Sequence, residues 1–80
     1  MIELHMTEEA KNTLERPLTK RETDVVRLTA DGLSVREIGI RLGVATRTVA
    51  NHRVRIRRKT GIQSVALLAR WAVRNGIVEP

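Results

Sequence analysis

The chain contains no cysteine, no phenylalanine and no tyrosine, it has one tryptophan, and its longest apolar run is the five residues from Val65 to Ala69. The absence of cysteine excludes disulfides and thiolate metal sites. A membrane-spanning helix needs about 20 consecutive apolar residues, so we expect no contact with a membrane. No group of His and acidic residues at metal-ligand spacing stands out, and we expect neither a metal nor a cofactor.

The apolar residues indicate the fold class. They make up 41% of the 80 residues and are mostly Val, Ile, Leu and Ala, with five Gly and two Pro. A chain of this length can bury one modest core. Its composition suits short packed helices better than stacked sheets, so we predict a single all-α domain.

Positive charge is concentrated in one segment. The sixteen residues from Thr46 to Gly61 contain six basic residues and no acidic one, and six equals the formal net charge of the whole chain, +6. Arginine outnumbers lysine by 12 to 3, and its forked guanidinium suits phosphates and guanine edges. Such a block is either a solvated face or a surface for a polyanion, most simply nucleic acid. The basic residues are Arg47, Arg53, Arg55, Arg57, Arg58 and Lys59.

Two capping boxes predict two short helices. Thr19 and Glu22 have the required spacing, and so do Ser34 and Glu37 fifteen residues later. Glycine then follows each apolar pattern, at positions 32 and 43, where a left-handed turn can end a helix. We expect the first helix to reach about residue 31 and the second to end before residue 43.

The third helix is predicted from near Thr46 to Gly61, and a fourth from Ser64 to about Asn75. On a helical wheel of the third, one side carries the apolar positions and the opposite side is mostly polar and basic. The apolar side consists of Val49, Ile56 and Thr60, with His52 at its edge as a structural, hydrogen-bonded residue. The outward side consists of Arg47, Asn51, Val54 and Arg58, with Ala50, Arg55 and Arg57 beside them.

A short helix, a glycine turn and a second helix with a basic outer face are typical of a helix-turn-helix motif. Gly39 is placed for close approach of the two helices, and Gly43 for the turn. The outward side chains are then directed at base edges, where Arg can bind guanine, Asn can bind adenine and Val or Ala can contact a thymine methyl.

The motifs resemble the LuxR/GerE/NarL-type DNA-binding domain over residues 18–78. The matching positions are Leu18, Thr19, Arg21, Glu22, Val25, Val26, Leu28, Gly32, Ser34, Glu37, Ile38, Leu42, Gly43, Val44, Thr48, Val49, His52, Ile56, Lys59 and Gly61. The resemblance implies a four-helix domain, found alone or as the output module of quorum sensors and response regulators. It further implies that the third helix enters the major groove and that the fourth forms a dimer.

The resemblance also assigns roles to individual positions. It places base reading at Ala50, Asn51 and Val54, to which the wheel adds Arg47 and Arg58. It places phosphate contacts at Arg36, Thr48 and Lys59, to which Arg53 and Arg55 are plausible additions.

This chain departs from the family in four places. Ala50 stands where the family usually has Lys, so its usual target cannot be assumed. Ala45 replaces a usual Ser cap, and we expect Thr46 to cap the helix instead. Gly39 replaces Ala, and Thr60 replaces Leu, which should thin the core.

The fourth helix carries a stripe of residues outside its core-facing side, and this stripe predicts weak self-association that DNA strengthens. The residues concerned are Leu67, Arg70, Trp71 and Arg74. Residues 1–17 are expected to form an arm or linker, with a cloning remnant at residues 1–6, before the domain at residues 18–78.

We therefore predict a bacterial transcriptional regulator that binds double-stranded DNA sequence-specifically in the cytoplasm, at the nucleoid. RNA polymerase is a candidate partner, and no enzymatic activity, metal, cofactor, small-molecule ligand or membrane is expected. Two alternatives stay open. One is a promoter-binding module like region 4 of sigma factors, and the other is a protein-interaction module that uses Leu67 and Trp71.

Overall fold

The computed structural model describes residues 16–79. These residues form four helices and no strand: α1 (Lys20–Ala30), α2 (Val35–Leu42), α3 (Thr46–Thr60) and α4 (Val65–Arg74). The predicted all-α, four-helix architecture is confirmed. Most of the predicted arm, residues 1–15, lies outside the described part of the chain.

Both predicted capping boxes are present. The Thr19 hydroxyl accepts from the Glu22 backbone N–H at 3.1 Å, and the Glu22 carboxylate accepts from the Thr19 N–H at 2.9 Å. Ser34 and Glu37 make the same reciprocal pair at 3.1 and 2.8 Å. Four N–H groups at the start of each helix lack helical partners, and these side chains satisfy two of them at each helix while fixing where it begins.

α3 begins without a side-chain cap. Ala45 occupies the capping position in extended backbone geometry, with φ −68° and ψ 150°, and it makes no side-chain hydrogen bond. Thr46 is already the first helical residue, so the expectation that Thr46 replaces the missing serine cap is wrong. The reason is geometric, because a capping side chain must lie outside the first turn that it caps.

A tight turn separates α2 from α3. Gly43 ends α2 with φ +73°, a left-handed conformation that favours glycine. A β-carbon placed on Gly39 would lie 2.8 Å from the Val44 carbonyl oxygen, and the Val44 N–H donates to the Gly39 carbonyl at 2.9 Å. The predicted close approach at Gly39 is confirmed, although its partner is the backbone of the turn. This contact fixes the direction in which α3 continues after the turn that follows α2.

α1 lies at the centre of the packing and contacts each of the other helices. For this reason it buries two adjacent residues, Val25 and Val26, although neighbouring side chains on a helix point about 100° apart. Leu28 is partly buried and packs against the core from its edge. The buried apolar residues are Val25, Val26, Ile38, Val49, Ile56, Leu68 and Ala72.

Candidate nucleic-acid interface

The inward side of α3 fixes the helix against the core. Val49 and Ile56 are fully buried, two turns apart on the same side. Near the end of the helix, the Thr60 hydroxyl donates to the Ile56 carbonyl at 2.8 Å and accepts from the Ile62 N–H at 3.1 Å. Thr60 therefore replaces apolar packing with two local hydrogen bonds. Rotation of α3 about its axis would expose Val49 and Ile56, so its outward face is set.

The predicted base-reading residues share the outward side of α3. Four of the five are exposed, and Val54 is partly buried. The structure therefore brings together a mixed surface of two guanidinium groups, one amide and two small apolar side chains, held by a packed helix. The exposed four are Arg47, Ala50, Asn51 and Arg58.

The predicted phosphate-contacting residues fall into two groups. Arg36 on α2 and Thr48 and Arg55 on α3 are exposed, while Arg53 is partly buried. Thr48 and Arg55 lie beside the outward face of α3, whereas Arg53 lies next to its apolar side. The exposed residues of this set are compatible with contacts to a nucleic-acid backbone.

Lys59 differs from the rest of this set. Its side chain is only 14% exposed, and its Nζ donates to Glu22 Oε1 at 2.7 Å and to the Pro17 carbonyl oxygen at 3.1 Å. The structure thus places its ammonium group between α1 and the segment that precedes α1.

Glu22 is the buried partner in this pair, with a side chain that is 3% exposed. Burial alone would raise its pKa. The hydrogen bonds from Lys59 and from the Thr19 N–H, with the positive charge of Lys59, outweigh burial and hold the pKa below its ordinary value. Glu22 is therefore ionised at neutral pH and serves both the cap of α1 and the last turn of α3.

The arginines of α3 have no carboxylate partner among residues 16–79. The ion pairs formed within this range join Lys20 to Asp24, Arg27 to Asp24 and Lys59 to Glu22. The five guanidinium groups between Arg47 and Arg58 therefore keep their charge uncompensated by these residues. Such a concentration of positive charge attracts polyanions over distances of about a Debye length.

His52 lies at the edge of the core, as predicted, but without the expected hydrogen bond at one nitrogen. Its Nδ1 is buried and finds no partner within residues 16–79. The prediction of a hydrogen-bonded histidine is wrong for this atom.

The predicted dimerisation stripe on α4 is only partly open. Leu67 is 52% exposed, and Arg70 and Arg74 are exposed beside it. Trp71 is partly buried and packs against the core. The exposed apolar part of the stripe is therefore smaller than the sequence pattern predicts.

Sequence reasoning missed the pairing of Glu22 with Lys59. A signal for it was present, because Glu22 shares the core-facing side of α1 with Val25, and a carboxylate on such a side needs a cation or donors. The wheel of α3 did not identify the partner, since Lys59 belonged to a block of basic residues that all looked alike in charge.

Within positions 16–79 no three His, Asp or Glu side chains come together in a way that could hold a metal ion. In the same range, the helices are too short and too polar to cross a bilayer.

Comparison with known proteins identifies the family of the chain. The profile of the luxR family of bacterial regulatory proteins, also named GerE, matches residues 16–72. The chain belongs to this family. The match begins just before α1 and ends inside α4, so it includes both helices of the helix-turn-helix motif.

Curated relatives share the same region. The chain is 42% identical over 62 residues to the transcriptional regulatory protein MctR of Rhizobium johnstonii. These 62 residues are 78% of this chain and 29% of MctR. It is 43% identical over 54 residues to the transcriptional regulatory protein UhpA of Escherichia coli, covering 68% of this chain and 28% of UhpA.

A third relative is the transcriptional activator protein PhzR of Pseudomonas fluorescens, 42% identical over 60 residues, with 75% of this chain and 25% of PhzR covered. The chain thus spans less than a third of the length of these relatives. No solved structure matches it well enough to count as a relative.

Proposed function

We propose that this domain binds double-stranded DNA sequence-specifically and serves transcription regulation, with α3 in the major groove. The observation that carries the proposal is the outward face of α3, where Arg47, Asn51 and Arg58 are exposed opposite the buried Val49 and Ile56. The major groove is about 12 Å wide and admits one helix, so a rigidly held face can present these side chains to base edges.

Affinity and specificity would come from two overlapping sets of side chains. The arginines of α3 and Arg36 supply attraction to phosphates whatever the sequence. Arg47, Asn51 and Arg58 supply hydrogen bonds to bases, and Ala50 with Val54 offers apolar contact to thymine methyl groups. The family relationship and the regulatory names of the relatives support DNA binding and transcription regulation.

We further propose that two domains associate through α4 on DNA. Leu67 is half exposed, and in a monomer this apolar side chain faces water. A small contact area around one leucine favours weak association that needs DNA to bring the copies together. Two half-sites about one helical turn apart would then be occupied together, as for other dimeric helix-turn-helix proteins.

The decisive experiment is selection of bound sites from a random DNA pool, followed by a salt titration on the selected site. If about six phosphates are neutralised per domain, log K should fall against log salt with a slope near −5. A slope near zero would overturn the proposal.

Substitution of Arg47, Asn51 and Arg58 with alanine separates DNA binding from a protein-interaction role. These side chains are exposed, so the variant should stay folded by circular dichroism while losing the selected site. A variant that binds the site as well as the wild type would show that this face of α3 does not read the DNA, as the protein-interaction alternative requires.

A further inference from the structure

The resemblance to the family implies a phosphate contact at Lys59, but the structure gives its ammonium group two other partners. Nζ donates to the Glu22 carboxylate and to the Pro17 carbonyl, at 2.7 and 3.1 Å. Lysine has three N–H donors and no acceptor, so two of its three hydrogen bonds are already made inside the domain. An ammonium that turned out to a phosphate would give up both.

The exposures of the two side chains show which arrangement is favoured. The Glu22 side chain is 3% exposed and that of Lys59 is 14% exposed. Removal of the cation would leave a buried carboxylate whose other hydrogen-bond donor is the Thr19 N–H. An uncompensated buried charge is far more costly than the loss of one solvent-exposed contact to phosphate.

The contacts of Lys59 also join three parts of the chain. Lys59 lies in the last turn of α3, Glu22 in the first turn of α1, and Pro17 in the segment that leads into α1. Val49 and Ile56 hold the earlier turns of α3 against the core. The Lys59 contacts hold the final turn, where Arg58 points outward.

We propose that Lys59 is a positioning residue that fixes the C-terminal turn of α3 against α1 and Pro17, and that it does not neutralise a DNA phosphate. This inference rests on the proposed DNA binding and deepens it. The inference removes Lys59 from the predicted phosphate contacts. The direction of the outward face of α3 then depends on the ion pair between Lys59 and Glu22, which lies on the other side of the helix.

The test compares Lys59→Met with the wild type on the selected site and on random DNA over a range of salt. Loss of a phosphate contact weakens all sequences alike and makes the salt slope shallower by about one. Loss of positioning leaves the slope unchanged and lowers the ratio of selected-site to random affinity about tenfold, the size of one mismatched base pair. We expect the second result, and the first would overturn the inference.

Glu22→Gln gives an independent test because the two roles predict opposite changes. If Glu22 only holds back a lysine that can reach phosphate, the variant should bind all DNA more tightly, with a steeper slope. If the pair positions α3, the variant should keep the slope and lose preference for the selected site. Arg55→Met, which alters an exposed arginine on the same helix, serves as the matched control for a predicted phosphate contact.

A double variant covers the case in which Lys59→Met does not fold. Lys59→Gln combined with Glu22→Gln replaces the ion pair with two amides that can still hydrogen-bond, and it carries no cation at position 59. An unchanged salt slope supports the positioning role, and a slope shallower by about one overturns it. Wild-type protein without salt-dependent DNA binding would overturn the proposed function itself, so the two failures are distinguishable.

Discussion

The Nζ atom of Lys59 lies 2.7 Å from Glu22 Oε1 and joins the last turn of α3 to the first turn of α1. The same carboxylate oxygen accepts the N–H of Thr19, so one acceptor serves the cap of α1 and the end of α3. The two helices are 37 positions apart in sequence at this point. The pair therefore closes a large loop of chain around the core.

We predict unequal costs when either partner of the pair is removed. Lys59→Met leaves the buried Glu22 carboxylate without its cation and should lower the free energy of unfolding by about 3 kcal/mol. Glu22→Gln should lower the free energy of unfolding by less, about 1–2 kcal/mol, because the long side chain of Lys59 can turn its ammonium group to water.

Urea denaturation of both single variants and of the double variant that combines Lys59→Met with Glu22→Gln would measure this. The double variant should be less destabilised than the sum of the two single changes, since each removes the same interaction. Additive losses would show that Lys59 and Glu22 do not interact in solution.

Stability should fall at acid pH, and Glu22 should account for part of the loss. Its pKa is lower in the folded chain than its ordinary value, so the unfolded chain takes up a proton first as the pH drops. The contribution is complete above the unfolded pKa of about 4.3 and disappears as the pH falls through the folded pKa.

Glu37 should contribute in the same direction. The Ser34 N–H and hydroxyl hold the pKa of Glu37 below its ordinary value.

Glu22→Gln removes the Glu22 contribution to this pH dependence. Unfolding free energies measured between pH 7 and pH 3 should therefore decline less steeply for Glu22→Gln than for the wild type. Parallel curves for the two proteins would contradict the assigned role of Glu22.

The missing cap of α3 offers a stabilising change. Ala45 has extended backbone geometry at the capping position and is exposed, so a serine there can accept an N–H of the first turn without a clash. Ala45→Ser should raise stability by about 1 kcal/mol. In a domain of this size, that corresponds to a melting temperature higher by about 4–8 °C.

Ser34→Ala is the matched control, since it deletes the equivalent cap of α2 and should lower the melting temperature by a similar amount. Calorimetry or thermal circular dichroism would compare the three proteins. No gain in Ala45→Ser would mean that the start of α3 is already satisfied by other groups.

Local signals in the sequence predicted the helices well. The capping boxes at Thr19 and Ser34 and the glycines at positions 43 and 61 fix boundaries through hydrogen bonds within a few residues, so they can be recognised without tertiary structure. The outward face of α3 followed from helical periodicity alone.

The features that the sequence did not predict depend on contacts between helices that are far apart in the chain. Burial of Val26 follows from the central position of α1, and Lys59 differs from the neighbouring arginines only because Glu22 reaches it across the core edge. Periodicity gives the face on which a residue lies, but it does not give the partner opposite that face.

Ala50 should determine part of the sequence preference. It is exposed on α3, and the family usually has lysine at this position, so the chain offers apolar contact where a donor is common. Ala50→Lys should change the bases selected from a random pool at one or two positions and make the salt slope steeper if the new ammonium reaches a phosphate. Thermal stability should stay unchanged, and an identical selected site would place position 50 away from the bases.

Leu67 should control association on DNA without contributing to the fold. Its side chain is 52% exposed, so Leu67→Gln removes an apolar contact surface at little cost to the isolated domain. Val73 on the same helix is 37% exposed and lies on a different side, which makes Val73→Gln the matched control.

Sedimentation on DNA with two half-sites about one helical turn apart should show two copies bound together for the wild type and Val73→Gln. Leu67→Gln should occupy the half-sites independently while keeping its affinity for a single half-site, because α3 is unaltered. Cooperative binding by Leu67→Gln equal to that of the wild type would exclude the Leu67 surface as the contact between copies.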